Sequence, residues 1–270
     1  MPREVTVVVD DRTIKYALTT NHLNRFFFSI NSNNSRTIDA ASYEPAVYNT
    51  FRFMMDELKT VEFMDVGANF GWFSNIVATS PLNRCLAIEI DKKFFRELVL
   101  CTNWNSSISP MYKGASREES IIKRTSIFSY SGIERALIDA FDPYVQLDSL
   151  DNLAKKNSMT SVNLVKIDVE GSELDVLEGA SGLIREHQPV FIIEIHPELV
   201  MKISTKHWTT LLEHLKDYSL FTFDSNRSET WKCRSLSSKD LKRNDNFTIV
   251  AISSQRRSII SRFEEKFKLS

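Results

Sequence analysis

Phe63-Met-Asp-Val-Gly-Ala-Asn-Phe-Gly-Trp-Phe-Ser74 decides how this chain is read. The stretch opens apolar and reaches Asp65. Gly67, Asn69 and Gly71 then alternate with other residues, and a helical pattern begins at Trp72. Glycine takes positive φ at no steric cost, and asparagine is among the few other residues that tolerate it. The stretch therefore predicts a strand, a tight turn and a helix. A ligand can lie against such a turn at the carboxyl end of the strand, where open α/β sheets bind their ligands.

The surroundings agree. Strands are expected at Val61–Val66, Cys85–Ile90, Ile108–Tyr112, Leu164–Val169 and Val190–Ile195, with helices at Trp72–Thr79, Lys92–Trp104 and Ser172–His187 between them. In the last helix Leu174, Leu177, Ala180 and Ile184 form one stripe, and Ser172 and Asp175 stand at capping-box spacing. Alternation of this kind implies a parallel sheet with helices on both faces. Near-continuous apolar strands fit a sheet buried on both sides.

Upstream, Val5–Val9 and Ile14–Leu18 flank Asp10-Asp11-Arg12 as a hairpin, Asn31 to Arg36 reads as a loop, and Pro45 opens a helix with Val47, Phe51, Met54, Met55 and Leu58 on one face. Downstream, a helix is expected from Lys206 to Asp217. Two strands follow, Leu220–Phe223 and Phe247–Ile252, as an antiparallel pair at one sheet edge. The segment from Ala115 to Met159 fits the alternation least and reads as an insertion that covers the site.

The loop register narrows the ligand. A dinucleotide site needs G-x-G-x-x-G and a P-loop needs Lys-Ser/Thr; here the pattern is D-x-G-x-N-x-G. S-adenosylmethionine has no phosphate, but it has an ammonium, a carboxylate and a ribose. Asp65 is suited to the ammonium, directly or through water, and backbone N–H groups to the carboxylate. Glu89, in Ala87-Ile-Glu-Ile-Asp91, follows Asp65 by 24 residues, near the ~20-residue offset at which an acid takes ribose hydroxyls.

Two more strand ends carry ionisable groups. In Leu164-Val-Lys-Ile-Asp-Val-Glu-Gly-Ser-Glu173, Lys166, Asp168 and Glu170 alternate and share a face if the strand stays extended. In Ile192-Ile-Glu-Ile-His-Pro197, Glu194 and His196 share a face. Groups of this kind are costly to bury unpaired, and a histidine is a natural general base near neutral pH. The expected catalytic set is Lys166, Asp168, Glu170, Glu194 and His196, with one of them, His196 for instance, taking a proton and Lys166 orienting a carboxylate or lowering the acceptor's pKa. A divalent metal is the other use of such an oxygen-rich cluster; no metal ligand is assigned.

Together these stretches resemble the FkbM family of methyltransferases. The resemblance rests on Tyr43-Glu-Pro45, Asp65-Val-Gly-Ala-Asn-Phe-Gly71, Leu147-Asp-Ser-Leu150, Lys166-Ile-Asp-Val-Glu-Gly-Ser-Glu173, Leu177-Glu-Gly-Ala180 and Glu194-Ile-His-Pro197, and spans Tyr43 to Pro197. It implies a class I methyltransferase fold, with seven strands in a mostly parallel Rossmann-like sheet, the last antiparallel. It also implies methyl transfer from S-adenosylmethionine, with S-adenosylhomocysteine as product, to an oxygen of a sugar, glycan or secondary metabolite. The cofactor-binding set it suggests is Glu44, Asp65, Gly67, Ala68, Asn69, Phe70, Gly71, Ser74, Glu89, Ile90, Ser116 and Asp168. Ile90 stands where many relatives carry proline.

Composition sets the remaining expectations. The 270 residues are 42% hydrophobic and 26% charged, enough for one large α/β domain. The expected division is an N-terminal hairpin and helical extension over 1–59, a cofactor-binding domain over 60–253 and a basic amphipathic tail over 254–270. A net charge of −1 gives no overall field toward nucleic acid or membrane. Cys85, Cys101 and Cys233 show no paired spacing and fit reduced thiols. No apolar run approaches the ~20 residues of a membrane span, so the protein is expected to be cytoplasmic, with a small-molecule or glycan acceptor as its partner. The sequence does not set an oligomeric state. Two other readings compete. One is an RNA ribose 2′-O-methyltransferase, which the basic tail supports but the lysine-free end Glu194-Ile-His196 does not. The other is a non-catalytic cofactor-binding module. A nicotinamide oxidoreductase is disfavoured by the loop register.

Overall fold

The structure is a computed structural model and describes residues 3–9, 12–18, 37–39, 43–103, 105–123, 144–203, 207–224 and 231–268. Its centre is an eight-stranded sheet. The parallel part comprises β6 (Ile108–Tyr112), β5 (Arg84–Glu89), β4 (Glu62–Val66), β10 (Val162–Ile167) and β11 (Val190–Ile195), in that spatial order. Beyond β11 lie β14 (Phe247–Ser253), β12 (Tyr218–Phe223) and β13 (Cys233–Ser235), each antiparallel to its neighbour.

The sequence counted seven strands. The eighth, β13, falls in the polar excursion after β12, where three residues give too short a pattern to read. The two late strands do pair antiparallel, but β14 inserts between β11 and β12 and is buried throughout.

Strand residues alternate between two apolar layers. Phe63, Ala87, Leu164, Ile192 and Val250 face one layer; Met64, Leu86, Val165, Ile193 and Ile249 face the other. On the first layer pack α1 (Pro45–Leu58), α2 (Trp72–Val77) and the C-terminal α9 (Arg257–Lys266). Phe51 of α1 stacks on Phe73 of α2 at 4.6 Å. The tail is thus part of the core: Phe263 is fully buried against Phe53 and Phe221, with centroids 5.4 and 4.9 Å away. The other layer carries α4 (Leu150–Lys156), α5 (Glu173–Glu178) and α6 (Ser181–Glu186). Between β5 and β6 runs α3 (Lys92–Thr102).

The expected helix Ser172–His187 is two helices, α5 and α6. A β-carbon on Gly179 would sit 2.0 Å from the carbonyl oxygen of Ser116, so only glycine fits that approach. The new start is capped from outside: Asp151 accepts from Gly182 N at 2.7 Å and Leu183 N at 2.8 Å. The Ser172–Asp175 capping box does not form, since Ser172 makes no side-chain cap bond and Asp175 pairs with Arg117 at 2.9 Å. The helix expected over 206–217 is a 3-10 turn, Trp208–Thr210, followed by the one-turn α8 (Leu211–His214). It is preceded by α7 (Pro197–Ile203).

The N-terminal strands β1 (Arg3–Val9) and β2 (Arg12–Leu18) pair antiparallel as expected, and β3 (Thr37–Asp39) joins β1 in parallel. The hairpin turn at Asp10 and Asp11 and the loop at Asn31–Arg36 lie outside the described residues. Of the insertion, β7 (Gly114–Ala115), β8 (Ser120–Lys123) and β9 (Tyr144–Asp148) form a three-stranded sheet, order β7-β9-β8; 124–143 lie outside the described residues. Among the described residues no helix is long and apolar enough to cross a membrane.

Candidate active site

The turn after β4 has the backbone its sequence predicts. Gly67, Asn69 and Gly71 take φ of 79°, 53° and 81°. The turn is pinned to its neighbours on both sides: Gly67 N and Ala68 N donate to Ile88 O at 2.9 and 3.0 Å, and Asp168 N donates to Val66 O at 2.9 Å. A β-carbon on Gly67 would meet the Asp168 carbonyl oxygen at 1.8 Å.

Glu89, 5% exposed, ties the turn to the end of β5. One carboxylate oxygen accepts from Asn69 N at 2.8 Å and the other from Asp91 N at 2.7 Å. Each oxygen keeps a lone pair for a ligand hydroxyl. Burial pushes Glu89 up to about 7, against those two hydrogen bonds. Asp65 is 1% exposed, and one of its oxygens accepts from Ser74 N at 3.1 Å and Ser74 Oγ at 2.6 Å. Its Oδ1 is buried with no hydrogen-bond partner among the described residues. Burial raises Asp65, against the nearby Lys166 charge.

The cofactor-side expectations are only partly brought together. Ala68 and Phe70 are buried, the latter against Trp72 at 6.2 Å, and Trp72 and Phe73 belong to the core. Ile90 borders Gly114, whose β-carbon would meet it at 2.6 Å. Ser116 is held by its N–H to Asp148 O at 2.9 Å and passes against Gly179.

The second cluster gathers beside Val66. Lys166 is 5% exposed, with Nζ 2.9 Å from Asp168 Oδ2 and 5.4 Å from the centre of the Phe73 ring. Burial alone would lower Lys166, but Asp168, Asp65 and Glu44 hold it above its ordinary value. Burial would raise Asp168; the Lys166 and His196 charges and hydrogen bonds from Lys166 and Glu194 bring it below. Burial, with Asp168 and Glu44 adding to it, pushes Glu194 up to about 8. Glu44 stands at the start of α1 with φ 45°, and its charge acts on both Lys166 and Glu194.

Glu170 does not reach the cluster by strand alternation. β10 stops at Ile167, and Glu170 and Gly171 take φ of 54° and 111°. The chain turns there, and the Glu170 side chain, 60% exposed, swings to 3.6 Å from His196 Nε2. Burial raises Glu170. His196 is 2% exposed, with Nε2 3.9 Å from Glu194 and Nδ1 2.8 Å from Glu173. Burial would lower the ring, but the hydrogen bond and charge of Glu173, with Asp168 and Glu194, push it up to about 9. Sequence reading missed Glu173 as a site residue. Its signal is its position at the first turn of a helix directly after the acidic strand end.

Asp168, Glu194 and His196 each offer one donor atom, all within 4.8 Å of one another. Lys166 already sits on Asp168 as a cation.

The family model of the methyltransferase FkbM domain matches residues 65–219, which hold the turn, Glu89 and the acidic cluster. No curated protein matches the chain. Among solved structures, the chain is similar to methyltransferase FkbM from Methylobacillus flagellatus, at 20% identity and TM-score 0.45 over 71% of this chain and 43% of that one. It is similar to a TehB-like S-adenosylmethionine-dependent methyltransferase from Corynebacterium glutamicum, at 11% identity and TM-score 0.45 over 86% of this chain and 96% of that one. It is similar also to Aeropyrum pernix fibrillarin, solved with S-adenosylmethionine, at 11% identity and TM-score 0.41 over 71% and 66%. The chain thus spans less than half of the Methylobacillus protein. The sheet order, with β14 antiparallel between β11 and β12, is the class I methyltransferase arrangement expected from the sequence. By the match over 65–219, this chain belongs to the FkbM methyltransferase-domain family.

Proposed function

We propose that this chain binds S-adenosylmethionine against the turn after β4 and transfers its methyl group to a hydroxyl of a sugar, glycan or secondary metabolite. The observation that carries this reading is the direct contact between the glycine turn and the acidic strand end, through Asp168 N to Val66 O at 2.9 Å. It supports the reading, since the turn and the acidic groups then lie side by side. The free Oδ1 of Asp65 and the remaining lone pairs of Glu89 suit an ammonium and ribose hydroxyls.

The bound sulfonium supplies an electrophilic methyl carbon. The protein has to hold the acceptor oxygen in line with it and take the hydroxyl proton. Asp168, Glu170, Glu194 and His196 form the acceptor side, and Lys166 balances their charge. No metal is part of the proposal; the cation seated on Asp168 is Lys166 Nζ.

RNA is disfavoured as acceptor. The basic tail that supports it is committed to the fold: Arg262 pairs with Glu57, and Arg256 donates to the carbonyls of Gln188 and His187 at 3.1 and 3.3 Å. Incubation with methyl-labelled S-adenosylmethionine and a panel of sugars, hydroxylated metabolites and RNA tests the reading. Label on a hydroxyl of a sugar or metabolite is expected. Label on RNA alone would overturn the acceptor class.

A further inference from the structure

Glu173 is fully buried, yet it is a carboxylate. Its Oε1 accepts from Gly171 N at 3.0 Å and lies 2.8 Å from His196 Nδ1, while Oε2 is buried with no hydrogen-bond partner. A carboxylate so desolvated needs a counter-charge in contact, and among the described residues the group touching it that can supply one is the His196 ring. The other ring nitrogen also faces acids, at 3.6 Å from Glu170 and 3.9 Å from Glu194. Among the described residues both ring nitrogens face carboxyl oxygens, and this geometry suits a ring that carries both protons.

We propose that Glu173 is a positioning residue: its carboxylate takes the Nδ1–H of His196 and holds the ring as an imidazolium beside Glu194, so that Glu194, and not His196, removes the acceptor's proton. This rests on the methyl-transfer reading. The acceptor oxygen forms its bond to the methyl carbon while the sulfur–methyl bond breaks, with its electron pair staying on sulfur. The hydroxyl proton goes to the Glu194 carboxylate and then to solvent. The products are an ether and a neutral thioether. The imidazolium stays charged throughout and favours the ionised form of Glu194 between turnovers.

The groups that face the ring are Glu173 on α5, Asp168 and Glu170 after β10, and Glu194 on β11, with Lys166 bearing on the same carboxylates. The ring pushed up to about 9 agrees with an imidazolium at neutral pH. Glu194, pushed up to about 8, acts as base from its ionised fraction, so transfer should quicken as pH rises toward 8.

The test is a pH titration of the full chain labelled with 15N-histidine, with His196 assigned by its loss in His196→Gln. Wild type should show both ring nitrogens protonated at neutral pH. In Glu173→Gln, which keeps the shape and removes the charge, the titration should fall by about one pH unit or more, the effect of an opposite charge in contact. A neutral ring in wild type near pH 7.5, or an unmoved titration in Glu173→Gln, would overturn the proposal; the wild-type spectrum decides even if the variant does not fold. Glu194→Gln, which cannot take a proton, should slow transfer by about 100-fold or more with S-adenosylmethionine binding kept, and an unchanged rate would overturn the assignment of the base. Calorimetry with S-adenosylmethionine on wild type separates the two readings: no binding would sink methyl transfer and leave the ring titration standing.

Discussion

Gly67 and Asp168 lie so close that a β-carbon on the first would stand 1.8 Å from the carbonyl oxygen of the second. This contact joins the two halves of the proposed site. The turn that would carry the cofactor cannot shift without moving the strand end that carries the acids. Gly67→Ala meets two penalties, the positive φ of 79° and the backbone clash. A loss of about 2 kcal/mol or more is expected, beyond what the φ alone costs, read as a lower urea midpoint.

Lys166 is the cation on which the buried carboxylates depend. Removing it in Lys166→Met leaves Asp168 and Asp65 without their main counter-charge. Breaking a buried pair from one side costs about 3 kcal/mol or more. Thermal unfolding should show that loss, and it should shrink at low pH, where the acids take up protons.

The pH dependence of stability follows from three groups whose folded values are raised: Glu89 to about 7, Glu194 to about 8 and His196 to about 9. In each case the folded protein holds a proton more tightly than the unfolded chain does. Each contribution is therefore complete below the group's ordinary value and is lost as pH rises through the folded one. For the two glutamates the loss runs from about pH 4.5 up to 7 and 8, and for the histidine from about 6.5 to 9. The melting temperature of the ligand-free protein should fall steadily between pH 5 and 9. A flat profile across that range would refute the assignment.

Phe263 tests what the C-terminal segment is for. It is fully buried among Phe53, Phe221 and Phe267. Phe263→Ala should cost about 3–5 kcal/mol of stability. A freely solvated basic tail would tolerate the same change with no effect on denaturant unfolding.

Most of the parallel strands were legible because they are short apolar runs with an acid at or near the carboxyl end, as at Asp65, Glu89 and Glu194. The turn was legible because positive φ restricts residue choice at Gly67, Asn69 and Gly71. What escaped the sequence depends on contacts between distant segments. Gly179 breaks a helix because Ser116 passes against it, and periodicity does not register that. β13 is too short to show a pattern. The role of Glu173 arises only when α5 and the end of β11 meet, which sets a buried carboxylate on His196. Glu170 comes to His196 by a different route from the strand alternation read in the sequence, since the strand ends before it and a left-handed turn delivers its side chain.

The central claim is that Glu89 and the turn after β4 form an S-adenosylmethionine site, and calorimetry on wild type beside Glu89→Ala tests it most directly, with NAD as control. Saturable binding of S-adenosylmethionine and S-adenosylhomocysteine is expected. Loss of a charge-assisted hydrogen bond in the variant should weaken it about tenfold to a hundredfold. Folded wild-type protein that binds neither compound, or that binds NAD instead, would contradict the account.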